Sequence, residues 1–92
     1  MKMHRIVVLP GDGIGPEVTR VAVQVLERVA ARFDIPIEHE SADIGGVAIR
    51  RHDDPLPRAT LDLARAADAV LLGAVGDPEV AGARRRPEAA LL

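Results

Sequence analysis

The 92-residue chain has no cysteine, no tryptophan and no tyrosine, and Phe33 is its single aromatic residue. Without cysteine there is no disulfide, no thiolate metal site and no thiol nucleophile, which suits a reducing compartment. Without tyrosine there is no phenolic general acid. Lys2 is the only lysine and lies on the N-terminal tail, a poor location for a general base. Any core must be built from Val, Leu, Ile and Ala, because the area that aromatic rings would bury is missing. A thin core in so short a chain points to packing partners elsewhere, in further sequence or in another chain.

Two further absences narrow the partners. No apolar run reaches the length of about 18 residues that a membrane span needs. Met1-Lys2-Met3-His4-Arg5 leads into a short strand, not into the apolar centre of a secretory signal. With 12 basic and 14 acidic residues spread along the chain, the net charge is −2. Nucleic acid and anionic membrane, which both require a concentrated basic face, are not expected as partners. Arg84-Arg85-Arg86 is too short to supply one and reads as a solvated loop. The expected location is the cytoplasm.

What the chain does have is a strand–turn–helix opening. Arg5 to Pro10 reads as a strand, and its consecutive apolar residues Ile6-Val7-Val8-Leu9 fit a strand covered on both faces of a parallel sheet. Gly11, Gly13 and Gly15 then make a tight turn. Pro16 suits the first position of a helix, and Glu17 complements its positive end. Val18, Val21, Ala22, Val25, Leu26, Val29, Ala30 and Phe33 fall on one face at three- and four-residue steps, predicting an amphipathic helix buried along that face. Ile37 to Glu40 alternates as a second strand. Gly45-Gly46 precedes a helical turn, His52 to Pro57 is a loop, and Thr60 to Ala67 is a second helix. Ala69 to Val75 has no polar side chain and reads as another strand buried on both faces. Gly76-Asp77-Pro78 turns the chain, Glu79 to Arg86 is a loop, and Pro87-Glu88 opens a helical turn cut short at Leu92. Strands alternating with helices give an α/β fold: a mostly parallel sheet with flanking helices, here incomplete.

The residues alone carry no recognisable catalytic set. A phosphate cradle at the glycine turn would want exposed N–H groups and a lysine; instead Asp12 and Glu17 bring negative charge, and the spacing G-x-G-x-G is not the dinucleotide fingerprint. The turn is better explained by positive φ and close backbone approach, although strand ends of this kind are where α/β proteins place ligands. His4, His39 and His52 lack metal-ligand spacing, and Asp53-Asp54 reads as a solvated acidic pair.

Several segments in order resemble the β-decarboxylating dehydrogenases, whose members act on 3-isopropylmalate, isocitrate, homoisocitrate and tartrate or D-malate. The resemblance rests on Leu9-Pro10-Gly11-Asp12-Gly13-Ile14-Gly15-Pro16-Glu17-Val18, on Asp68 to Gly76, on Gly45-Gly46 with Ala48-Ile49, and on Pro55-Leu56-Pro57 with Thr60. Arg86-Pro87-Glu88-Ala89-Ala90-Leu91-Leu92 is similar to the R-P-E-x-G-L-L segment of the isopropylmalate branch.

That resemblance implies the N-terminal part of the family's large domain over residues 1–92, with no second domain. It implies hydride transfer from a small-molecule 2-hydroxy acid to NAD, then loss of the β-carboxylate as carbon dioxide with Mg²⁺ or Mn²⁺, in a homodimer. For the isopropylmalate branch this is the step of leucine biosynthesis that yields 2-oxoisocaproate. It places cofactor contacts at Ile14, Gly76, Asp77, Pro78, Pro87 and Glu88, with Glu88 approaching the nicotinamide ribose, and sets Leu91 against the substrate's isopropyl group. The carboxylate-clamping arginines, the catalytic Tyr and Lys, and the metal-binding aspartates of the family fall beyond position 92, so an inactive fragment is expected. Three departures concern substrate choice: Asp77 where a second Gly is usual, Ala90 for Gly, and Val80-Ala81-Gly82 in place of a Trp-Asp pair. Asp77 leaves a tartrate/D-malate-type fragment as an alternative, and the open sheet edge leaves a non-catalytic module that pairs with a full-length homologue.

Overall fold

The structure, a computed structural model, describes residues 2–76 and 87–91. Its elements are β1 (His4–Gly11), α1 (Gly15–Arg32), β2 (Ile37–Ser41), α2 (Gly46–His52), α3 (Arg58–Ala66), β3 (Ala69–Ala74) and a 3-10 turn at Pro87–Leu91. The three strands form one parallel sheet in the order β2-β1-β3. This is the expected α/β architecture, a parallel sheet with flanking helices.

β1 is central, and its apolar run is buried as its composition predicts. Val7 sits between Glu40 of β2 and Val70 of β3 in the register. Val7, Val8 and Leu9 are all buried. Alternate residues of a strand face opposite sides. Val7 and Leu9 therefore join Ile44 in the core, with Ala42, Leu56, Leu63, Val75 and Ala90 packed around them. Val8 lines the other side with Thr19 and Val23 of α1. The Ala90 methyl, which stands where the resemblance implies glycine, thus adds to the core.

α1 forms where the periodicity places it, with Pro16 and Glu17 in its first turn. It stops at Asp34, whose φ of +56° reverses the chain while the Ile35 N–H donates to the Ala30 carbonyl at 2.8 Å. Its packed face is the expected one only in part: Ala30 is buried and Ala22 and Leu26 are half-buried, but the larger side chains of that face are not. Gly15, Thr19 and Ala30 are buried, whereas Val18, Val21, Val25, Val29 and Phe33 are exposed, Val25 at 57% and Phe33 at 65%. The buried stripe lies roughly one residue, about 100°, around the helix from the exposed one. Small residues win the interface because they let the helix backbone approach β1 and β3 closely.

β3 also departs from expectation. It was read as covered on both faces, yet Val70 and Leu72 remain 46% and 41% exposed. β3 is an edge strand of the sheet, and among the described residues nothing covers that surface. The start of α3 is tied to the loop between β2 and α2 by the buried Thr60, whose hydroxyl donates to the Asp43 carbonyl at 2.7 Å.

Candidate functional site

The C-terminal ends of β1 and β3 lie side by side, and Gly11 opens the loop there. Gly11 adopts φ +76°, and a Cβ at this position would overlap the Ala74 carbonyl. No other residue type allows both that conformation and that approach. The Asp12 N–H then donates to the Ala74 carbonyl at 2.7 Å, and the Gly15 N–H returns to the Asp12 carbonyl at 2.7 Å. The turn is therefore a structural join between β1, β3 and α1, as the glycine spacing predicts.

The Asp12 side chain completes the join. It is 4% exposed and accepts three backbone hydrogen bonds. The Gly46 N–H donates to Oδ2 at 2.7 Å and the Val47 N–H to Oδ1 at 2.9 Å, both from the first turn of α2. The Gly76 N–H donates to Oδ2 at 3.0 Å from the turn after β3. Gly45 must be small for this arrangement, because its φ is +75° and a Cβ would stand 2.6 Å from Asp12 Oδ2. Sequence reasoning treated Asp12 only as a charge that would repel phosphate. The usable signal was an acid between glycines with no cation nearby, which needs N–H partners once buried.

Of the residues assigned to the cofactor by resemblance, Gly76 is brought onto the glycine loop through Asp12. Ile14 lies on that same loop, 67% exposed at the entrance to α1. Asp77 and Pro78 lie outside the described residues. Pro87 and Glu88 begin the 3-10 turn, and Leu91 at its end is 54% exposed. A groove of about 260 Å³ beside the loop is lined by Pro10, Gly11, Pro16, Asp43, Val47 and Arg51. Asp43 faces Arg51 at 3.3 Å and His52 at 3.0 Å across this end of α2. A hollow of about 470 Å³ between α1 and the face of β1 and β2 reaches the strand ends at Pro10 and Ser41, and ligand binding in open α/β sheets favours the strand ends.

No three His, Asp or Glu side chains converge into a metal-binding group among the described residues. They do not fit a divalent cation by themselves. The glycine loop is likewise not built for a phosphate, because Asp12 already takes up the N–H groups that converge there. At this sheet end Ile14 is an exposed apolar side chain, and the Gly76 N–H is held by the Asp12 carboxylate. Among the described residues no helix is long and apolar enough to cross a membrane.

A parallel sheet with helices between its strands and a glycine turn at the strand ends defines an α/β protein. Comparison with known proteins narrows the class. Residues 5–92 match the model of the isocitrate/isopropylmalate dehydrogenase family, and the chain belongs to that family. It is 53% identical over 91 residues to a 3-isopropylmalate dehydrogenase of Gloeobacter violaceus, covering 97% of this chain and 25% of that protein. A 3-isopropylmalate dehydrogenase of Staphylococcus saprophyticus is 47% identical over 89 residues, with 97% and 26% covered. Among solved structures, a β-decarboxylating dehydrogenase from Thermococcus kodakarensis superposes with a TM-score of 0.70 at 39% identity, covering 83% of this chain and 22% of that one. An isocitrate dehydrogenase from Methylococcus capsulatus gives 0.71 at 36% identity, with 83% and 21% covered. The chain spans about a quarter of the length of the curated relatives it matches.

Proposed function

We propose that these 92 residues are the N-terminal segment of the large domain of a 3-isopropylmalate dehydrogenase. The whole enzyme would carry out the NAD-dependent oxidative decarboxylation of 3-isopropylmalate to 2-oxoisocaproate, as a cytoplasmic homodimer in leucine biosynthesis. The observation that carries this reading is the identity of about half of all positions to proteins of that name, over essentially the whole chain. NAD supplies the hydride acceptor when bound. Ile14 and Gly76 would present an apolar surface and a fixed backbone to it, with Asp77, Pro78, Pro87 and Glu88 continuing the same border. Leu91, exposed at the end of its turn, would meet the isopropyl group, an apolar contact worth about 1–3 kcal/mol of discrimination. The Mg²⁺ or Mn²⁺ of the family would be held by residues outside this segment.

On this reading the segment by itself does not decarboxylate, and it gains activity from the polypeptide that forms the other three quarters of a family member. The exposed apolar side chains of α1 and β3 support it, since further family structure would cover them. The test is complementation. The Gloeobacter violaceus relative, expressed without its matching first quarter, is mixed with this chain, and NADH formation from 3-isopropylmalate is followed. Activity in the mixture alone is expected. Turnover of D-malate or tartrate in preference to 3-isopropylmalate would favour the other branch. A complex that forms without turning over any 2-hydroxy acid would favour a non-catalytic pairing module.

A further inference from the structure

We infer that Asp12 is a positioning residue that acts as an internal anion, holding the Gly76 turn at the height the cofactor border requires. Its three donors come from segments far apart in the chain. Gly46 and Val47 lie 34 and 35 residues away, and Gly76 lies 64 residues away. Local structure cannot set the distance between such segments. One carboxylate does so here, because Oδ2 is shared by Gly46 at 2.7 Å and Gly76 at 3.0 Å. Fixing either N–H therefore fixes the other.

The burial supports a charge-assisted clamp. Asp12 is 4% exposed, so water does not compete for its oxygens, and hydrogen bonds to an ionised acceptor are roughly twice as strong as neutral ones. Glycine at 45 leaves no side chain between the carboxylate and α2. The Asp12 backbone is pinned as well, by its 2.7 Å bond to Ala74. Main chain and side chain together thus hold β3 and the turn that follows it. Gly76 begins the border proposed for NAD, so the consequence for the cofactor rests on the proposed function, whereas the clamp does not.

The experiment uses residue-resolved amide exchange on the 92-residue chain, with Asp12→Asn and Asp12→Ala, and with Thr60→Ala as a destabilised comparison away from the clamp. In the wild-type chain the Gly46, Val47 and Gly76 amides should be protected. Asp12→Ala should speed exchange at Gly76 about tenfold or more beyond its effect at Val8, the loss expected for one charge-assisted bond. Asp12→Asn, which keeps one acceptor oxygen and is the milder test of folding, should give a smaller increase in the same three amides. Formate, but not chloride at equal ionic strength, should restore part of the protection in Asp12→Ala. Thr60→Ala should leave Gly76 no faster than Val8. An unprotected Gly76 amide in the wild-type chain, or equal exchange at Gly76 with and without Asp12, overturns the clamp. NAD titration of the same proteins, each mixed with the Gloeobacter violaceus relative lacking its matching first quarter, separates the two claims. If the wild-type mixture binds NAD and the Asp12→Ala mixture binds it at least fivefold more weakly, the positioning role stands. If Gly76 loosens while NAD affinity is unchanged, that role is wrong. If the wild-type mixture binds no NAD while Gly76 still depends on Asp12, the clamp stands and the cofactor border at this segment fails.

Discussion

The glycine end of the sheet and the outer face of α1 are built on opposite principles. At the glycine end, Asp12 is buried with three N–H donors, Gly11 meets Ala74 in backbone contact, and the polar groups that converge there are satisfied. On the outer face of α1, five large apolar side chains from Val18 to Phe33 stand exposed. The first region is satisfied by its own residues, and the second stands exposed among the described residues. The difference shows that a polar join needs only a few atoms in the right place, whereas an apolar layer needs area. Burial yields about 25 cal/mol per Å² removed from water, and the exposed stripe contributes little of it.

The contrast can be broken most forcefully at Gly11. Gly11→Ala should destabilise the chain by about 3 kcal/mol or more, since it adds a Cβ against backbone at a positive φ; a shift in the urea midpoint measures it. Gly45→Ala should cost less, about 2 kcal/mol, because its φ is strained but the opposing atom belongs to a side chain. Thr60→Val removes the bond to the Asp43 carbonyl and should cost about 1 kcal/mol in the same assay. By contrast, Val21→Glu with Val25→Lys should change stability by no more than about 0.5 kcal/mol, because both positions are exposed. The pair should also suppress concentration-dependent association in sedimentation, and a large loss of stability would show that the outer face of α1 is packed after all.

The smallest expected effect lies at Asp68, on the exposed edge between α3 and β3. The Arg5 N–H, 2.8 Å from Oδ2, and then Lys2, 3.6 Å from Oδ1, hold its carboxyl below the ordinary value of 3.8. A carboxyl lowered in the folded state adds stability that is complete above that ordinary value. The contribution disappears as pH falls from there through the lowered native value. Asp68→Asn should therefore flatten the acid side of the Tm profile slightly and leave the profile from neutral pH upward parallel to wild type. A mutant profile with an unchanged acid slope would remove Asp68 from the account.

The elements themselves were legible in the sequence. The apolar run of β1, Pro16 at the start of α1 and the alternation in β2 each leave a local pattern, and the structure places each within a residue or two of its expected bounds. The face of α1 was legible only in part, through Ala22, Leu26 and Ala30. Periodicity marks where apolar residues gather, but Gly15, Thr19 and Ala30 take the interface by size, which depends on how near the sheet comes. β3 differs for a related reason: a strand without polar residues signals burial, yet among the described residues Val70 and Leu72 stay exposed. The Asp12 clamp escaped because its donors are 34 to 64 residues distant, beyond any local pattern. Ile14 and Gly76 were singled out only through resemblance to the family; in the structure the Gly76 N–H donates to Asp12, and the Ile14 side chain is exposed.

The most direct test compares amide exchange in this chain alone and in the mixture with the remaining three quarters of the Gloeobacter violaceus relative. The account predicts that α1 amides from Val18 to Phe33 slow markedly in the mixture, that Val7 to Leu9 and Gly76 are protected in both, and that NADH forms only in the mixture. Unchanged exchange along α1 in an active mixture, or decarboxylation by the 92 residues alone, would contradict it.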